Sequence, residues 1–210
     1  VLILPYPPQA GESTREVHET LLSHLSYICS MSSTRDELLR AAADFLGRRP
    51  NATQDEIATA VGVSRATLHR NFSGRHALME ALEKLAVAEM REVLRNVRLQ
   101  DGSAVEALRR LVSACRPVSP YLALLYSQSQ ELDLDNTIEA WQEIDDEITS
   151  LFQRGQRDGE FRPDLTAAWL TEAFYSLFGA TEWAIRVGRV AGRDFDRLIT
   201  ELLLNGVRTS

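Results

Sequence analysis

Arg65, Ala66, Thr67, His69 and Arg70 bring guanidinium, methyl, hydroxyl and imidazole groups together in one short run. Such groups read the edges of base pairs. Arginine donates to the acceptors of guanine, and the methyl of alanine or threonine meets that of thymine. Their spacing supports this on a helix. Leu68 and Phe72, four apart, make one apolar side. At about 100° per residue the opposite side centres on Ala66 and Arg70, with Thr67 and His69 on the flanks. A narrow apolar seam with short polar or basic groups outside it fits the DNA major groove, which is about 12 Å wide. An ordinary helical hairpin of a globular domain gives the same spacing, and the residues alone leave both readings open.

The flanking sequence says how such a helix would be held. Thr53 is followed three residues later by Glu56, the capping-box pattern that satisfies the free N–H groups at a helix start. The helix it opens carries Ile57 and Val61 on one side and the small Ala58 where another helix crosses. Gly62 can take the left-handed conformation that turns the chain sharply, and Ser64 can then cap a second helix, Arg65 to Phe72. Two helices around a glycine turn, the second polar and facing outward, form a helix-turn-helix.

The run from Gly62 through Val63, Ser64, Thr67, Leu68 and Phe72 to Arg75 and Leu78 resembles the signature of the TetR family of bacterial transcriptional regulators. In that family a G-V-S-x-x-T-L-Y-x-x-F core leads into a short basic loop and an apolar helix. Two positions depart: His69 stands at the usual Tyr, and Asn71 where His or Tyr is frequent. The resemblance implies phosphate contacts from Thr53, Ser64, His69 and Arg75. It implies base-edge contacts from Arg65, Ala66, Thr67 and Arg70, with Asn71 on the same surface.

The net charge of −7 at first looks wrong for a DNA binder. Between Ser32 and Arg75, however, seven arginines face five acids, a balance of +2, and the acidic excess lies elsewhere. Phosphates would repel the acidic remainder, which helps orient the protein on the duplex. Two cysteines, Cys29 and Cys115, make no disulfide framework, and no apolar run approaches the roughly 20 residues that span a bilayer. A cytoplasmic protein that does not engage membranes is expected. The chain has no Gly-rich phosphate loop, no paired Cys/His site and no nucleophile with a partner base, and no His follows His76. These features argue against an enzyme, a metal site or a cofactor.

Along the chain the periodicity is helical throughout. Residues 1–31 open on a Pro-rich stretch and then show Val17, Leu21, Leu22, Leu25 and Ile28 at helical spacing. Translation is expected to begin at Met31, the alternative being a genuine N-terminal helix. Thr34 and Glu37 form a capping box for a helix to Arg48. Ser73 caps a long helix, about Arg75 to Val97, and Ser103 with Glu106 opens the next. Helices follow after Pro117, from about Asn136 to Arg157, from Asp164 to about Val187, and from Asp194 to Val207. The expected class is all-α: a three-helix helix-turn-helix domain over 32–78, then a helical effector-binding and dimerisation domain over 79–210.

The helix from Asp164 is apolar nearly all round and needs cover on more than one side. By resemblance it and the last helix form a four-helix interface with a second subunit, and the partners are operator DNA and a small-molecule effector. Repression is the family default. Tyr121, Tyr126, Trp141, Phe152, Trp169, Tyr175, Phe178 and Trp183 are candidate effector-pocket residues, though each alone reads first as core packing, and Glu182 is a partner for a cationic ligand or else exposed or in an intersubunit pair. Asp145, Asp146 and Glu147 read as a solvated face. A helical carrier or interaction protein whose reading head has lost DNA remains the competing class.

Overall fold

The computed structural model describes residues 35–128 and 134–207, and the side chains within them except over 126–140. The expected helix around Leu21, the Met31 start, the Thr34 cap and the side chain of Tyr126 lie outside the described residues. What is described is all-α. Helix α1 covers 35–48, and α2 (Gln54–Ala60) and α3 (Arg65–Asn71) make the helix-turn-helix. Helix α4 (Arg75–Val97) leads into α5 (Ala104–Ala114), α6 (Ser119–Gln128), α7 (Leu134–Arg157), α8 (Ala167–Arg186) and α9 (Phe195–Val207).

The local signals behave as their chemistry requires. Both capping boxes form, Thr53 with Glu56 and Ser103 with Glu106. Gly62 sits at φ +75°, where a side chain would be strained, and the Val63 amide bonds back to the Ala58 carbonyl at 3.0 Å. Ser73 does not cap α4. The cap position is Gly74, with no side-chain bond, because Gly74 at φ +140° takes the turn between the two helices. Helix α8 starts at Ala167, capped by Thr166, and not at Asp164, whose carboxylate binds Arg162 instead.

Leu39, Ala42 and Leu46 of α1 pack on Ile57, Leu68 and Phe72 in a buried cluster that continues through Leu78, Leu82 and Met90 into the second half of the chain. Helix α4 therefore belongs to both halves. At about 1.5 Å per residue its 23 residues span about 35 Å. Where it passes α1, Arg40 donates twice to Glu89, at 3.1 and 2.8 Å. This pair lies beside the buried Tyr121 of α6, and burial pushes that phenol up to about 12. Cys115 is buried as a small apolar residue, its thiol pushed up to about 12 by desolvation. Among the described residues no helix is long and apolar enough to cross a membrane, and no cluster of three or more His, Cys, Asp or Glu is placed to hold a metal.

Candidate nucleic-acid interface

Helix α3 buries Leu68 and, at its C-cap, Phe72, and it turns the other side outward. Arg65, Ala66, His69 and Arg70 are all exposed. The helix is braced from two directions. Ser64 caps it by accepting from the Thr67 amide at 3.1 Å, and the guanidinium of Arg35 lies over the Phe72 ring at 4.8 Å. The outward side is thus a fixed ridge on a packed base.

The other candidates differ in freedom. Thr67 is half-buried, with its hydroxyl 2.9 Å from that of Ser64, so its methyl is the group left for outside contact. Asn71 is turned back on its own helix and donates to the Thr67 carbonyl at 2.9 Å. Thr53 gives both its amide and its hydroxyl to Glu56, at 2.8 and 2.9 Å, and these bonds hold the Glu56 carboxyl below the usual carboxylate range. Arg75 does something that spacing could not show. Its guanidinium reaches back 25 residues to the Pro50 carbonyl and also bonds the Ala52 carbonyl. It ties the start of α4 to the turn between α1 and α2. Losing hydrogen bonds from a charged donor costs about 2 kcal/mol. Arg75→Ala is therefore expected to lower the melting temperature by about 4–8 °C. A thermal melt checks this, and an unchanged midpoint would show the tie to be idle.

Sequence spacing also missed Asp55. Its carboxylate meets Arg65, with Oδ1 3.3 Å from Nε and Oδ2 accepting from Nη1 at 3.3 Å. The available signal was an acid in the first turn of one helix and an arginine opening the next.

The candidate effector residues do not gather in one place. Phe152 is buried against Phe161. Trp169 and Trp183 are outside, 60% and 54% exposed, because none of the described elements covers that side of α8. Trp141 is half-buried. Tyr121 is buried beside the Arg40–Glu89 pair, Tyr175 and Glu182 are half-buried on α8, and Phe178 packs against Phe174 and Phe195. Tyr175 donates to Asp145 at 2.7 Å, and Ser119 donates to Glu182. Asp145 is accordingly not on a solvated face. Burial raises its carboxyl above the usual range even with the tyrosine bond opposing.

A model of the family described as bacterial regulatory proteins, tetR family, matches residues 38–82, from α1 into α4. Over a longer span the chain is 33% identical over 179 residues to the HTH-type transcriptional regulator NfxB of Pseudomonas aeruginosa, covering 84% of this chain and 96% of that protein. The chain belongs to the tetR family. The HTH-type transcriptional repressor LfrR of Mycolicibacterium smegmatis is 28% identical over 170 residues, covering 80% of this chain and 88% of LfrR. A crystal structure of LfrR from Mycobacterium smegmatis in complex with proflavine superposes with a TM-score of 0.68 at 25% identity, covering 86% of this chain and 99% of that one. The tetR-family regulator PfmR of Thermus thermophilus shares the fold, with a TM-score of 0.61 at 20% identity over 80% of this chain and 97% of PfmR. This chain is thus a transcriptional regulator of the tetR family, a family of DNA-binding proteins and not of enzymes. Its helix-turn-helix is the α2–α3 pair described above.

Proposed function

We propose that this protein is a cytoplasmic, ligand-responsive repressor that binds a palindromic operator as a homodimer and is released by a small molecule. Residues 32–78 serve as its reading head and 79–210 as its effector-binding and dimerisation domain. One observation carries the reading: the exposed face of α3, where Arg65, Ala66, His69 and Arg70 stand outward on a buried Leu68–Phe72 base. Base-edge contacts fall to Arg65, Ala66, Arg70 and the Thr67 methyl, and phosphate contacts to Thr53, Ser64, His69 and Arg75.

The dimer rests on a separate observation. The exposed large apolar side chains among the described residues, Trp169, Trp183, Val187 and Leu202, all lie on α8, its C-cap or α9. Large apolar side chains left exposed together on two packed helices mark an interface. Two heads on a two-fold axis then read half-sites about one helical turn, or a multiple of it, apart.

The effector is proposed to be a lipophilic cation. Asp145 of α7 and Glu182 of α8 are two partly buried carboxylates, and among the described residues each is bonded to a hydroxyl and not to an arginine or lysine. A buried carboxylate without a cation favours a ligand that supplies one. The proflavine held by LfrR, an aromatic cation at neutral pH, is of this class.

The test is a labelled duplex from the DNA flanking the protein's own coding region, titrated at two salt concentrations with and without proflavine. Saturable binding, weakened by salt and reversed by the cation, is the expected result. Binding of the cation without binding of any duplex would identify a carrier instead. Arg70→Ala is expected to lose about 1–3 kcal/mol of discrimination at one base pair per half-site. If it weakens all duplexes equally, Arg70 touches phosphate and not a base.

A further inference from the structure

We infer that Asp55 is a positioning residue for DNA reading: it holds the Arg65 guanidinium as a preset fork for a guanine and keeps it off the phosphate backbone. The inference rests on the proposed DNA-binding reading and adds to it a residue that makes its effect through another side chain.

The geometry is a two-point contact between the rims of two helices. The contact is one hydrogen bond, Nη1 donating to Oδ2, with Nε an ion-pair distance from Oδ1, both at 3.3 Å, and it leaves the Nη2 N–H groups of Arg65 unused by the pair. A carboxylate bonded to one nitrogen and close to a second restricts where the group can go. Reading guanine gains from that restriction, because two donors must meet O6 and N7 together. A long side chain that arrives already fixed loses less rotational freedom on binding.

Asp55 is itself firmly placed. Its carbonyl accepts from the Thr59 hydroxyl at 2.8 Å, and the next residue, Glu56, is committed to the Thr53 capping box. Of the two neighbouring acids, one closes the helix end and the other is left for Arg65. The other basic groups on the outward side of α3, His69 and Arg70, have no carboxylate within ion-pair distance among the described residues. The pair is therefore specific to one position on the ridge.

Its exposure shows that the pair does not exist for stability. Arg65 and Asp55 are 73% and 62% exposed, and exposed pairs add little to folding. A carboxylate on a DNA-facing surface weakens attraction to every phosphate, whatever the sequence. That loss is common to all duplexes, whereas the held fork gains only where a guanine stands. The difference between the two is specificity.

The experiment is selection from a pool of random duplexes with the wild-type dimer, Arg65→Ala, Asp55→Ala and Asp55→Asn, followed by affinities for the selected and a scrambled duplex at two salt concentrations. Arg65→Ala should lose the guanine preference at one base pair per half-site. Both Asp55 variants should flatten the preference at that same pair by about fivefold or more. They should also bind the scrambled duplex about threefold or more tighter, with a salt slope steeper by about 1, because a freed arginine reaches phosphate. A merely structural Asp55 would move the melting temperature and neither of these readouts.

The proposal is overturned if the Asp55 variants keep the guanine preference or change all base pairs alike. If Arg65→Ala keeps every preference, Arg65 is no reader and Asp55 has nothing to position. If the wild type selects no sequence at all, the regulator reading fails first. A wild type that selects while Asp55→Ala behaves identically defeats this inference alone.

Discussion

Gly155→Ala is expected to cost about 3 kcal/mol or more and to lower the melting temperature by about 10 °C. A Cβ at Gly155 would lie 2.2 Å from Cδ2 of Phe161 and 2.5 Å from its Cε2. That ring cannot swing aside, because Phe161 is completely buried and packs on Phe152 at 5.9 Å. Nor can the backbone retreat easily. The amides of Glu160 and Phe161 both bond the Gly155 carbonyl, at 2.8 and 3.0 Å. The Glu160 carboxylate meanwhile accepts from the Ala104 and Val105 amides, at 3.0 and 3.1 Å, and so caps α5. Moving the turn would release that cap. Calorimetry of Gly155→Ala, Phe161→Leu and the double variant checks the cause: a smaller side chain at 161 should recover part of the loss caused at 155. A Gly155→Ala midpoint within about 2 °C of wild type would show that the turn yields.

Leu202→Arg is expected to leave the subunit folded and to split the dimer, with operator affinity falling about 100-fold or more. Leu202 is 63% exposed, so an arginine there meets solvent in a lone subunit. It also borders an apolar groove of about 350 Å³ between α8 and α9, lined by Leu177, Thr181, Leu198 and Ile199. In a two-fold interface the same position occurs twice, so one substitution buries two unpaired charges. Sedimentation velocity and circular dichroism separate the outcomes. A monomer with native helicity is the expected result, and a persistent dimer would place the interface elsewhere.

What the sequence made legible was short-range. The capping boxes at Thr53 and Ser103, the turn at Gly62 and the limits of α4 depend on residues a few positions apart, and these appeared as expected. The buried and exposed sides of α3 followed from Leu68 and Phe72 alone. What could not be read depends on which surfaces meet. Arg75 finds carbonyls 23 and 25 residues away, and Asp145 finds a tyrosine 30 residues on. Hydropathy marks Trp169 and Trp183 as needing cover but not whose cover, and among the described residues they have none. The Asp55–Arg65 pair crosses the glycine turn, so neither helix announces it alone.

The clasp of Arg40 on Glu89 beside Tyr121 bears on how this protein could be taken apart. The head shares one apolar cluster with α4 and the helices beyond it, so a boundary in the chain at residue 78 is not a boundary in cooperativity. A chimera that grafts this head onto another regulator would have to carry α4 and the α6 surface around Tyr121 with it, or accept a head that unravels.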